Sequence, residues 1–180
     1  RGDRVCLWLS NRAHAVVAFI ACSRQGFACN PSLHRTYTCA EIRTLAARLD
    51  AAAFITEANW GADRDRVELA SLLEDLPTLK KFYDFADLPE PGLVPSTPPV
   101  HAPDAVAYMA FTSGTTGPPK CVMHSSNTLM SNARDMVRDW RRDTSTRLLS
   151  LSPLSHHIAW VGVSQWLICG GTFITHDPPA

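Results

Sequence analysis

The sequence predicts an α/β fold built from mostly parallel sheets flanked by helices. Three observations carry that expectation. Short apolar runs alternate with longer segments at helical spacing, the pattern of a parallel sheet covered by helices. Hydrophobic residues make up 46% of 180, enough to bury the core of one domain or a large part of one. Glycine and proline fall where this alternation needs strands and helices to stop.

The elements follow in order. Arg4 to Leu9 is an apolar run after Gly2-Asp3 and reads as a strand. Asn11 to Gln25 is apolar on nearly all sides and long enough for a buried helix, with Gly26 as its stop. Phe27 to Asn30 is a second strand, ended by Pro31. Thr38-Cys39-Ala40-Glu41 matches a capping box, in which Thr and Glu side chains satisfy donors at a helix start. Cys39, Ile42, Leu45, Ala46 and Leu49 then follow at helical spacing. Ala53 to Thr56 is a third strand. Val67, Leu69, Leu72, Leu73 and Leu76 suggest a helix ending before Pro77, and Leu79 to Tyr83 a fourth strand.

Asp87 to Asp104 holds Pro89, Pro91, Pro95, Pro98, Pro99 and Pro103 and reads as an extended surface linker. It divides the expected organisation into an α/β subregion over 1–86, a linker over 87–104 and an incomplete α/β subregion over 105–180. In the last, Ala105 to Phe111 is a strand and Lys120 to His124 a short return strand. Ser125 or Ser126 can cap a helix with Leu129, Ala133, Met136, Val137 and Trp140 on one face. Arg147 to Leu151 is a strand, Ile158 to Cys169 a buried helix stopped by Gly170-Gly171, and Thr172 to Thr175 the last strand.

Composition excludes some functions. Acidic and basic residues balance at 17 each, so no basic excess points to nucleic acid. The six cysteines form no C-x-x-C pair, and their spacing suits neither zinc nor a disulfide framework. Buried, reduced thiols are expected, which fits a cytoplasmic protein. The longest apolar stretches, Ala15 to Cys22 and Ile158 to Cys169, are too short to cross a bilayer. Both ends read as cut from a longer chain.

The chemistry concentrates in Thr112-Ser113-Gly114-Thr115-Thr116-Gly117-Pro118-Pro119-Lys120. Glycines let backbone N–H groups approach anionic oxygens. Ser113, Thr115 and Thr116 add hydroxyl donors, and Lys120 adds a mobile positive charge suited to phosphate. Gly-Lys-Ser/Thr is missing, so this is not a Walker A loop, and it is not G-x-G-x-x-G. A strand, not a helix, is expected after Lys120, so a loop closing over phosphates is the better model than a helix-dipole site. Composition alone leaves a ligand-free hairpin open.

The full string resembles the signature loop of the AMP-forming adenylating enzymes, which include acyl-CoA synthetases, luciferases and adenylation domains of peptide synthetases. Gly2-Asp3-Arg4-Val5, Asn11 and Asn30-Pro31 resemble that superfamily's opening stretch, Thr38 to Glu41 its T-x-x-E helix start, and Leu151 to Ala159 its P-L-F-H segment. Val122 to Thr128 looks more like acyl-CoA ligases of cyclic or medium-chain acids. The resemblance implies part of the large N-terminal domain of such an enzyme. It implies a carboxylic acid activated by ATP to acyl-AMP, with coenzyme A as the usual acceptor. An adenylation domain loading a carrier protein, or a non-catalytic nucleotide-binding remnant, is the alternative.

By the same resemblance, Thr112, Ser113, Gly114, Thr115, Thr116, Gly117 and Lys120 would hold the β and γ phosphates, with magnesium carried on them and no metal-ligating side chain. Lys120 would stabilise departing pyrophosphate, and His156 would lie near the carboxylate and α-phosphate. A purely structural His156 at a helix cap stands beside that role. His157 is expected to face elsewhere and be structural, and His124 to be polar support. Trp160 and Trp166 could line an acyl pocket, though core packing is the plainer role. The sequence departs from the pattern at Cys121 for Gly, Ser155 for an aromatic and Ala159 for Gly; a Cys121 side chain could crowd the loop's hinge. The adenine, ribose and C-terminal lysine motifs are not visible, so the isolated chain is expected not to complete the reaction.

Overall fold

The structure, a computed structural model, describes residues 2–88, 97–112 and 119–177. Its main sheet has the strands β1 (Arg4–Trp8), β2 (Ala28–Asn30), β3 (Ala51–Thr56), β4 (Lys81–Asp84), β5 (Val106–Thr112) and β6 (Lys120–Ser125). They lie in the order β4-β3-β1-β2-β5-β6. All neighbours are parallel except β5 and β6, which form an antiparallel hairpin. A second, two-stranded parallel sheet pairs β7 (Arg147–Ser150) with β8 (Thr172–Thr175). The helices are α1 (Ala13–Gln25), α2 (Cys39–Arg48), α3 (Leu69–Leu73), α4 (Ser126–Asp139) and α5 (His157–Cys169).

The strand alternation explains the two core layers, because successive side chains leave a strand on opposite faces. Cys6 and Trp8 of β1, with Met109 and Phe111 of β5, join Ile42 and Leu45 of α2 and Leu69 and Leu73 of α3. Val5 and Leu7 of β1, with Tyr108 and Ala110 of β5, meet Val16 and Phe19 of α1, Leu129 of α4 and Trp160 of α5. Both faces of the central strands are therefore buried, as a parallel sheet requires. Residues on either side of the Pro-rich segment share this sheet, since Cys29 pairs with Tyr108.

Local chemistry sets the boundaries. Gly26 ends α1 with φ 73°, a left-handed conformation that glycine adopts without penalty. The capping box forms: the Thr38 side chain accepts from the Glu41 N–H, and the Glu41 carboxylate accepts from the Thr38 N–H. Ser125 is the cap of α4, its Oγ accepting from the Thr128 N–H at 3.2 Å. Pro31 ends the backbone ladder of β2, and side chains continue it. Asn30 Nδ2 donates to the Met109 carbonyl at 3.1 Å, and the Phe111 N–H donates to Ser32 Oγ at 2.6 Å.

Several details differ from the sequence pattern. Helices α1 and α5, expected to be buried, each keep an open face, with Val17 61% and Ile158 62% exposed. The third strand starts at Ala51, two residues early. Helix α3 is only Leu69–Leu73, and Leu76 instead accepts from the Leu79 N–H in a turn that leads to β4. Trp140 is exposed at the end of α4, under the Arg142 guanidinium 4.4 Å away, and does not continue the buried face of Leu129 and Ala133. All six cysteines are free, and all but Cys121 are buried. Among the described residues no helix is long and apolar enough to cross a membrane.

Candidate active site at the carboxyl edge of the sheet

In open parallel sheets, ligands bind outside the carboxyl ends of the strands, where strands hand over to loops. At that edge here, β1 leads to Asn11, β2 to His34, β3 to Glu57 and β5 to Thr112. The small sheet meets it there, because Asn11 ties the two together. Asn11 Oδ1 accepts from the Leu154 N–H at 2.7 Å, and its Nδ2 donates to the His176 carbonyl at 2.7 Å. The Asn11 N–H also donates to the Asp177 carboxylate at 3.2 Å. Leu154 is gripped at both ends, since its carbonyl accepts the Trp160 indole N–H at 2.6 Å. Two residues later comes His156.

Thr112 and Lys120 face each other on one rung of the β5–β6 hairpin, and Thr112 Oγ1 donates to the Lys120 carbonyl at 3.4 Å. The hairpin thus pins both ends of the intervening loop. Ser113, Gly114, Thr115, Thr116 and Gly117 lie outside the described residues. Lys120 is exposed, and among the described residues no carboxylate forms an ion pair with it. Cys121, the next residue, pairs with Phe111 and packs its side chain against the α2–α3 core layer. Its bulk is taken up by that layer, and burial pushes its thiol above the ordinary value.

His156 is the cap residue of α5, but its side chain makes no capping hydrogen bond. Its ring packs against His34, with centroids 4.3 Å apart. His157 turns the other way and stacks on His124 at 5.1 Å, with Tyr108 at 5.4 Å. Burial, and then His124, lower the His157 imidazole from its ordinary value. The structure therefore joins Thr112 to Lys120 and His156 to His34, in two separate constellations. Trp160 is fully buried, and the Trp166 indole donates to the Gly171 carbonyl while packing on Phe173, so both serve the core.

The sequence pattern does not mark His34, nor the cluster of Ser10, Arg12 and Glu57. Glu57 is 9% exposed and is held by Arg12 Nε at 2.9 Å and Ser10 Oγ at 3.1 Å. A buried carboxylate needs such partners. Among the described residues no group of three or more His, Cys, Asp or Glu is arranged to hold a metal ion. A cleft of about 750 Å³ opens at the opposite, amino edge, between Arg4, Arg24, Val100, His101 and Met123.

A family model described as AMP-binding enzyme matches residues 1–180. The chain belongs to the AMP-binding enzyme family. Within it, the chain is 30% identical over 183 residues to p-hydroxybenzoic acid–AMP ligase FadD22 of Mycobacterium tuberculosis, covering 99% of this chain and 24% of that protein. It is 29% identical over 161 residues to the sulfoacetate–CoA ligase of Cupriavidus necator, covering 86% of this chain and 31% of the relative. The chain thus spans about a quarter to a third of the length of these relatives. The fold of ATP-bound MatB from Rhodopseudomonas palustris matches with a TM-score of 0.80 at 24% identity, over 98% of this chain and 36% of that one. The α/β architecture is the family's fold.

Proposed function

We propose that the whole protein activates a carboxylic acid with ATP, through acyl-AMP, and passes the acyl group to coenzyme A. In this reading the chain supplies the element that handles the polyphosphate. The observation that carries it is the Thr112–Lys120 rung, which anchors a Ser/Thr/Gly loop at the carboxyl edge with an exposed ammonium at its exit. Relatives named for an acid–AMP ligase and a CoA ligase support the reaction class.

The substrate carboxylate attacks the α-phosphate and pyrophosphate leaves. Such chemistry depends on positioning and on neutralising charge. Lys120 offsets the charge on departing pyrophosphate, helped by donors from Thr112 to Gly117. His156 presents an imidazole N–H toward the carboxylate and α-phosphate. Magnesium, where it takes part, travels on the ATP phosphates and no side chain of this chain is assigned to it. The soluble, cytoplasmic setting expected from composition belongs to the same proposal.

Acid-dependent exchange of labelled pyrophosphate into ATP tests the reading, across short, cyclic and long acids. Exchange with one acid class, followed by coenzyme A thioester formation, is expected. No exchange with any class would overturn it. Because the chain spans 24% of the p-hydroxybenzoic acid–AMP ligase, the isolated 180 residues are expected not to turn over. Acyl-AMP formation by them alone would contradict that.

A further inference from the structure

The loop after β2 and the cap of α5 bring two imidazoles together from distant parts of the chain. The His34 and His156 ring centroids are 4.3 Å apart, with planes inclined by 41°. His34 Nδ1 lies 3.0 Å from Ser155 Oγ. The His34 carbonyl accepts the Trp8 indole N–H at 2.9 Å, which fixes the backbone from the core side. Tyr37 stands against the same ring at 5.4 Å. Among the described residues no carboxylate forms an ion pair with either imidazole.

We propose that His34 is a positioning residue for His156, steadying its ring through packing and through the Ser155 contact. The proposal rests on the reading that His156 serves the reacting carboxylate. Ser155 stands where the family segment has an aromatic ring. A hydroxyl there can hydrogen-bond to His34, and an aromatic ring could not make that bond. Two positive charges at this separation repel, with His34 half-buried and His156 exposed. Burial, and then His156, hold the His34 imidazole below its ordinary value. Tyr37, against the same ring, is pushed up by burial and then by Glu41, so its phenol adds no charge beside His34.

The test is a histidine-ring NMR titration of the whole protein, paired with the pyrophosphate-exchange assay. His156→Gln should raise the His34 titration by about half a pH unit or more. His34→Leu should lower kcat for exchange by about tenfold, with KM for ATP unchanged, because it disturbs orientation and not phosphate binding. His34→Asn, whose amide can keep the Ser155 contact, should recover most of that loss. A His34 titration that ignores His156→Gln, with Lys120→Ala still impaired, overturns the pairing alone. Intact coupling with no acid-dependent exchange by any variant removes the functional reading, and the positioning role with it.

Discussion

The amino edge of the main sheet holds a cleft of about 750 Å³, whereas the carboxyl edge gathers polar side chains from five separate chain segments. One difference lies in how Arg4 and Lys120 are engaged. At the amino edge, Arg4 is already engaged by Asp50 and by the Leu49 carbonyl, both at 2.8 Å. The Val100 N–H that passes this cleft is satisfied by the Arg24 carbonyl at 2.8 Å. At the carboxyl edge, Lys120 is exposed at the mouth of a loop rich in donors, and His156 leaves its capping role unused. The concave volume lies where residues 99–103 pass the strand starts. Chemistry follows from where parallel strands end.

The comparison can be broken at several points. Asn11→Leu should have the largest effect on stability, because it strands the Leu154 N–H and the His176 carbonyl. A loss of about 2 to 4 kcal/mol is expected in urea unfolding, with exchange activity falling alongside. A loss below half a kcal/mol would mean that the two sheets do not depend on this joint.

Cys121→Gly should cost about 1 to 2 kcal/mol through lost packing and added chain freedom. Exchange activity should not rise, since the side chain packs into the α2–α3 layer. A clear gain in activity would show that the thiol hinders the loop after all. Thr38→Ala removes the α2 cap and should cost about 1 kcal/mol without changing kcat.

Acidification should have the mildest effect. His34 and His157 are both lowered from 6.5, so the unfolded chain binds protons more readily. Their contribution is present above that value and is lost as pH falls through it. Denaturation midpoints should fall between roughly pH 7.5 and 5.5, less so in His34→Gln. A flat response would remove the imidazole account.

Much of the fold was legible because its signals are local. T-x-x-E gave the α2 cap, Gly26 the end of α1, and short apolar runs the buried strands. The polar loop stood out as a candidate anion site for the same reason. The His34–Ser155 contact was not, because its members are 121 positions apart and only the meeting of β2 with α5 brings them together. Asn11 was visible as a motif position, but its partners lie 143 and 165 residues away. Trp140 misled because helical spacing continued past the point where α4 runs out of core to pack against.

The most direct test of the carboxyl-edge assignment compares Lys120→Ala with Arg24→Ala in the acid-dependent pyrophosphate-exchange assay. Lys120→Ala should lose about a hundredfold in rate while melting normally, and Arg24→Ala, at the amino-edge cleft, should stay within about twofold of the parent. Unchanged exchange in Lys120→Ala, or collapse in a well-folded Arg24→Ala, would contradict the account.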